Sequence, residues 1–287
     1  MNHIVKRIGI LTGVFAAALC VFFLANNRWN SGQDQAVYMD MEAASLPSIT
    51  VQMLGRDMNR LYGYRQEMNT TAAGENLTIL PEDRALTVDI TGGGVTGISY
   101  EVRSMDRERL VERTEVSDWQ QTQQGIAATL PIQNLLTKER EYQLIIQLDT
   151  ENYGSVYYYT RILWTDSAQH ARDMVDLAAD FSIKTFDYEQ AKSLTTYLET
   201  SPSEDNSTFG HTSIHSSFSQ LTWGKMNMQP EGNVEIHLKE LDGVMCGVQL
   251  SYQAKRQGDG AEETYEVEED FTLKWNELRI YMMQYDR

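Results

Sequence analysis

The chain has 287 residues, of which 41% are hydrophobic, 23% charged and 10% aromatic, with five prolines and two cysteines. That composition builds a packed core and excludes a disordered or Pro-rich chain, a disulfide scaffold and a four-cysteine metal site. With 24 basic against 41 acidic residues, net −17, it also excludes a nucleic-acid binder, because phosphate recognition draws on a surplus of Lys and Arg.

Lys6 and Arg7 precede a charge-free apolar run from Ile8 to Ala25. At about 1.5 Å per residue the run makes ~27 Å of helix, close to the ~30 Å hydrocarbon core of a bilayer. A cleaved signal peptide wants small residues at −3 and −1 of the cut, and a run ending at Ala25 puts Phe23 at −3. Cys20 sits inside the apolar run, between Leu19 and Val21, which argues against a lipidated cysteine. The run therefore reads as an uncleaved transmembrane signal anchor over 8–25, with Lys6, Arg7 and Trp29 as its anchoring residues. Residues 1–7 are then cytoplasmic, 26–46 form a stalk, and the bulk of the chain is extracytoplasmic.

Three basic residues (Lys6, Arg7 and Arg28) and no acids fall in 1–30, so the remainder holds 21 basic and 41 acidic residues, net −20. Such a domain is repelled by anionic lipid and stands off the membrane surface. It carries one cysteine, Cys246, and so has no internal disulfide, which suits a bacterial cell envelope better than an animal secretory route.

In 47–74, Ile49, Val51 and Met53 alternate with polar residues, Gly55-Arg56-Asp57 offers a turn, and Met58, Leu61 and Tyr64 follow. This predicts a strand, a turn and a second strand or short helix. Over 75–165 the alternation is clearer. Leu77–Leu80, Ala85–Thr91, Gly97–Ser104, Arg109–Val116, Gly125–Ile132, Tyr142–Leu148 and Val156–Trp164 are short strands parted by turn residues. Their spacing predicts an antiparallel β-sandwich.

Leu136 is followed six residues later by Tyr142, and then by Leu144, Ile146 and Leu148 at period two. The segment from Leu136 to Tyr142 resembles the tyrosine corner of fibronectin type III and Ig-like sandwiches, although Lys138 stands where a Pro is usual and the early core Trp is missing. The resemblance covers 75–165 and implies a sandwich in which the Tyr142 hydroxyl bonds back to the upstream backbone.

After Trp164 the period changes. Asp166 or Ser167 can cap a helix whose buried stripe is Ala171, Met174, Val175, Ala178 and Phe181. Asp187 and Gln190 imitate a capping box before Ala191, Leu194 and Leu198. Residues 200–217 read as a loop. Ser219–Met226, Val234–Leu238, Val244–Lys255, Thr264–Lys274 and Leu278–Gln284 read as strands, with hairpin turns at Glu231-Gly232-Asn233, Leu241-Asp242-Gly243 and Gly258-Asp259-Gly260. The expected fold is mainly β: a sandwich, then an α+β domain over 166–287 with two helices on an antiparallel sheet. The apolar run just before Arg287 suggests a domain incomplete at its C-terminus.

Gly92-Gly93-Gly94-Val95-Thr96-Gly97 fits G-x-G-x-x-G, but an alternating strand follows where a dinucleotide site needs a helix, so a hairpin loop is the better reading. His211 and His215 lie in turn-rich sequence, and four residues of strand would hold them ~13 Å apart, too far for one zinc. The acids from Glu262 to Asp270 lack the calcium-loop pattern, and Glu266 and Glu268 alternate with Val267 as the wet face of a strand that discourages edge pairing. Tyr157 and Tyr159 share one strand face, where an exposed aromatic row could stack on sugar rings.

Neither G-x-S-x-G, H-E-x-x-H nor a P-loop occurs. No catalytic, metal or cofactor residue is singled out. The expected function is binding, scaffolding or sensing at the cell envelope, with the membrane as one partner and an envelope polysaccharide or protein as another. The alternatives are a membrane-tethered carbohydrate-active enzyme, with its site in 166–287 or in a missing C-terminal part, and a regulatory ectodomain coupled to another membrane protein through its transmembrane helix.

Overall fold

The computed structural model describes residues 6–7, 13–22, 45–68, 74–134, 136–224, 226–256 and 263–287. They fall into two compact units, 1–44 and 45–287. In the first, residues 13–22 are helical, with Val14, Phe15, Leu19, Val21 and Phe22 exposed. Among the described residues no helix is long and apolar enough to cross a membrane. Lys6 and Arg7 are helical and exposed. The rest of the expected anchor, 8–12 and 23–25, lies outside the described residues, as do Trp29 and the stalk as far as residue 44.

The second unit is mainly β. Its first ten strands are β1 (Ser48–Met53), β2 (Arg56–Leu61), β3 (Leu77–Ile79), β4 (Ala85–Thr91), β5 (Val95–Arg103), β6 (Leu110–Glu115), β7 (Trp119–Gln121), β8 (Ile126–Pro131), β9 (Glu141–Thr150) and β10 (Gly154–Leu163). They form two five-stranded sheets, ordered β2-β1-β4-β8-β7 and β3-β10-β9-β5-β6. All neighbours are antiparallel except β3 beside β10. Period-two alternation turns Leu86, Val88 and Ile90 of β4, and Tyr100 and Val102 of β5, into one shared apolar core.

Four features depart from the sequence expectation. The 47–74 segment is not separate, because β1 pairs with β4 and so joins the first sheet. The turn between β1 and β2 is Leu54-Gly55, both at positive φ (53° and 78°), as a tight hairpin demands. The Gly92–Gly94 stretch is a corner between sheets and not a hairpin, since β4 pairs with β1 and β8 while β5 pairs with β6 and β9. Strand β7 was invisible because Trp119-Gln120-Gln121 has no alternation to read.

The remainder comprises α1 (Ala168–Lys184), α2 (Tyr188–Ala191) running into a 3-10 helix (Lys192–Tyr197), α3 (Phe218–Leu221), and β11 (Met228–Asp242), β12 (Met245–Arg256), β13 (Glu263–Asn276) and β14 (Arg279–Asp286). The four strands form one antiparallel sheet in chain order. Helix α1 buries the stripe expected of it, Ala171, Met174, Val175, Ala178 and Phe181, and adds Ser182. Asp187 caps α2 by accepting from the Glu189 and Gln190 amides.

Ser219–Met226 is not a strand. Ser217 caps α3 there, and Trp223 and Gly224 at φ 60° and 58° break the extended path. Glu231-Gly232-Asn233 is an irregularity inside the long strand β11, not a hairpin turn, with the register shifting between Glu231 and Glu235. Gly258-Asp259-Gly260 lies outside the described residues.

The two halves of this unit share one core, which runs from Ile49 and Leu148 to Phe181, Leu250 and Tyr285. Asn59 pins the junction. It is fully buried at φ 51°. Its Nδ2 donates to the Leu77 carbonyl at 2.7 Å and to Thr78 Oγ1 at 3.3 Å, and its Oδ1 accepts from the Leu238 amide at 2.9 Å. One side chain thus ties β2, β3 and β11. Arg60 with Glu235 (2.7 Å) and Asn76 with His237 (3.2 Å) flank it.

Asn59→Ala removes those bonds and leaves the Leu238 amide and the Leu77 carbonyl buried without their partner. We expect a loss of about 2–4 kcal/mol, read as a lower urea midpoint at unchanged m. A loss below about 0.5 kcal/mol, the size expected of an ordinary surface change, would show that the junction does not depend on this amide.

Candidate functional site

The residues singled out in the sequence do not converge. Leu136 and Tyr142 are both buried, and the Tyr142 hydroxyl accepts from the Thr137 amide at 3.1 Å, a pin on the crossover into β9. Tyr157 and Tyr159 do not make an exposed row. The chain after β2 folds over them: Tyr64 and Tyr157 exchange backbone bonds of 2.9 Å, and the Met68 amide donates to the Tyr159 hydroxyl at 2.7 Å. Tyr159 is 5% exposed, with the Tyr64 ring edge-on at 5.9 Å and the Arg107 guanidinium over its face. Tyr62 and Tyr64 carry the exposed aromatic surface there instead.

His211 pairs with Asp286 at 3.2 Å, and His215 Nδ1 lies 3.0 Å from the Glu199 carbonyl. Among the described residues no group of three His, Cys, Asp or Glu side chains could hold a metal. Cys246 is fully buried, and burial, reinforced by the Glu240 charge, pushes its thiol up to about 12, so it is a core residue and not a nucleophile.

The site that sequence reasoning missed lies where β13, α3 and the chain end meet. Glu269 is turned inward between Val267 and Phe271 and is fully buried. Its Oε1 accepts from the Tyr285 hydroxyl at 2.7 Å. Burial drives its carboxyl above the usual range, and the Arg287 charge and the Ser182, Tyr285 and Tyr252 hydroxyls oppose that only in part. Arg287 is clamped: its amide and carbonyl both bond to Thr212 at 2.8 Å, and its guanidinium donates to the Leu221 and Gln220 carbonyls at 3.1 Å. That guanidinium also stacks on Trp223, 3.6 Å from the ring centroid.

Beside this network is a pocket of ≈ 510 Å³ lined by Phe209, Trp223, Met226, Met228 and Val267, with Arg287 at one side. The volume is within the ~300–1,000 Å³ range of ligand pockets, and thioethers and rings make its walls adaptable. Glu266 and Glu268 also border it, yet their carboxylates are tied to Gln253 and Gln249 of β12, on the face opposite Val267. A signal for Glu269 was present, since Val267, Glu269, Phe271 and Leu273 alternate in register. No local signal placed Phe209, Trp223, Met228 and Arg287 together.

The pH dependence follows from the direction of the shift. A carboxyl raised above its unfolded value of about 4.5 gives stability that is full below that value and lost as pH rises through the folded one. Wild type should therefore weaken above about pH 4.5 in a way that Glu269→Gln does not, so the variant gains on it from pH 5 to 8 in urea titrations. An equal deficit of the variant at both pH values would refute the assignment. Cys246 should resist a thiol reagent in the native state of a Cys20→Ser chain and react once urea unfolds it; rapid native labelling would contradict its burial.

No protein-family model matches the chain, and no curated protein matches it.

Proposed function

We propose that the chain is a single-pass membrane protein whose acidic, extracytoplasmic β-rich part acts as a binding, scaffolding or sensing module at the cell envelope. The observation that carries the binding reading is the Met- and aromatic-walled pocket beside β13, built on a rigid sheet and backed by a buried polar network. The membrane reading is supported by the charge-free run 8–25 behind Lys6 and Arg7, and by the exposed apolar side chains of helical residues 13–22. The net −20 of the remainder favours a domain held away from anionic lipid.

The sandwich reading is supported by strand order. β1-β4-β8-β7 corresponds to A-B-E-D of an Ig-like sandwich, and β10-β9-β5 corresponds to G-F-C. The Tyr142 bond to the Thr137 backbone matches the corner expected from the fibronectin type III resemblance. Modules of this architecture present binding surfaces on a stable frame.

Fractionation tests the anchor. The full chain should stay in membranes through an alkaline wash, and Phe15→Asp with Leu19→Asp should release it, because each charge at a helix centre costs about 2.5–3.5 kcal/mol on insertion. A wild-type chain dissolved in the cytosol would overturn the envelope reading. Binding is tested with the full chain in lipid nanodiscs against purified envelope polysaccharide and detergent-extracted envelope proteins. Retention of neither would overturn the binding reading.

A further inference from the structure

A second cavity, of ≈ 420 Å³, lies between α1 and the β11–β12 part of the four-stranded sheet, and shares no lining residue with the pocket beside β13. The helix side supplies Ala179, Ser182, Ile183 and, just past the helix end, Phe186. Their three- and four-residue spacing puts them in one stripe, next to the stripe that α1 buries. The sheet side supplies Val234, Ile236 and Leu250. Strand β11 loses register with β12 between Glu231 and Glu235, and an irregularity of this kind re-aims side chains. Two large apolar side chains stay exposed at the cavity, Ile183 by 51% on the helix side and Val234 by 39% on the sheet side.

Four polar side chains line this cavity, and they fall into two pairs. Ser182 and Tyr252 are buried, with their hydroxyls 3.5 Å apart, and the Phe186 ring stands edge-on to Tyr252 at 5.9 Å. Arg56 and Asp57, at the start of β2, are exposed and supply its charge. Arg56 donates to Asp176 through Nε at 2.8 Å, and its Nη2 lies 2.7 Å from the same oxygen. That pair orients the guanidinium and leaves Nη1 without a hydrogen bond among the described residues. The Asp57 carboxylate has neither a hydrogen bond nor an ion pair among the described residues. An apolar cavity thus carries one charge of each sign, on adjacent residues.

We propose that this cavity binds a free hydrophobic α-amino acid, with its side chain between Ile183 and Val234, its carboxylate on Arg56 and its ammonium on Asp57. The charge pair decides among occupants. A fatty acid offers a carboxylate to Arg56 but brings it beside Asp57, and an alkylamine does the reverse. An apolar stretch inside another protein carries neither charge. An α-amino acid carries both on one carbon, and each makes a charge-assisted hydrogen bond, about twice as strong as a neutral one. Apolar walls with a few placed polar groups are the usual make-up of a small-molecule site, and ≈ 420 Å³ lies within its ~300–1,000 Å³ range. The inference goes beyond the envelope reading and needs neither the anchor nor the pocket beside β13.

The test is titration calorimetry of the full chain in nanodiscs with leucine and phenylalanine. Three kinds of control accompany them: N-acetyl-leucine, which lacks the ammonium, leucinamide, which lacks the carboxylate, and glycine and glutamate, which lack the apolar side chain. Leucine or phenylalanine should bind at millimolar concentration or below, and every control about tenfold more weakly or worse, since each loses a hydrogen bond to a charged group or the apolar burial. Asp57→Asn removes an exposed charge and leaves the core untouched. It should weaken leucine by a similar factor and narrow the gap between leucine and N-acetyl-leucine, because the two changes delete the same contact. Ala179→Phe should fill the cavity and abolish binding at an unchanged urea midpoint.

Equal affinity for leucine, N-acetyl-leucine and leucinamide would overturn the proposal in favour of an apolar groove for a fatty chain or a protein segment. Absence of binding at millimolar leucine and phenylalanine would overturn it too, as would leucine affinity that Asp57→Asn leaves unchanged. The Asp57→Asn chain should still retain the same envelope component as wild type. Loss of that component together with leucine binding would overturn the separation of the two sites.

Discussion

The arrangement of this protein turns on a buried primary amide at the meeting of three strands. Asn59 sits in the left-handed region that Asn tolerates better than most residues, and from there its side chain reaches the backbone of β3 and β11 together. A buried amide hydrogen cannot be left without an acceptor, nor a buried carbonyl without a donor, without a penalty of about 1–3 kcal/mol each. Satisfying those groups with one side chain fixes the height and direction of β11 against the edge formed by β2 and β3. Around it, Arg161 donates to the Lys239 carbonyl and Arg60 meets Glu235, so the junction is polar at its rim and apolar within. The four-stranded sheet, and the helix packed on it, inherit their position from this contact.

The same logic recurs inside the two layers. Glu112 is 6% exposed. Its Oε1 accepts from the Tyr100 hydroxyl at 2.7 Å, and its Oε2 accepts from the Gln133 and Asn134 amides at 3.1 and 2.9 Å, which holds the chain leaving β8. Glu269 serves the four-stranded sheet, with Tyr285 as its donor and Arg287 as an opposing charge. Buried carboxylates of this kind are costly unless they are hydrogen-bonded, and their reward is a single register for the strands that carry the donors. The pocket beside Trp223 is backed by this network, through Arg287 on the Trp223 ring and the Leu221 and Gln220 carbonyls.

Surface charge and core are separated along β13 by nothing more than alternation. Val267, Glu269, Phe271 and Leu273 are turned inward, and Glu266, Glu268 and Asp270 face water. The strand thus carries an apolar and an acidic identity on its two sides, and its backbone edge lies between them.

Much of the strand content was legible in the chain itself, because alternation over five or more residues has one physical meaning in a half-buried sheet. Strands β4, β5, β8, β9 and β10 and the buried stripe of α1 fall where periodicity places them. The Leu136–Tyr142 corner was legible too, since it is a local bond between residues close in sequence. What periodicity cannot report is which sheet a strand joins, so β1 and β2 read as a separate segment and the triple glycine as a hairpin. Local pattern also misread Ser219–Met226, where the cap at Ser217 and the positive φ of Trp223 and Gly224 outweigh strand propensity. The sequence alone thus determined element type, the acidic balance and the apolar N-terminal run, all of which depend on neighbours within a few residues. Only the tertiary structure decided that Asn59 meets Leu238, that Tyr159 is covered by Met68, and that Arg287 closes over Trp223. Those contacts join residues between roughly sixty and one hundred and eighty positions apart, and no local pattern encodes a contact at that separation.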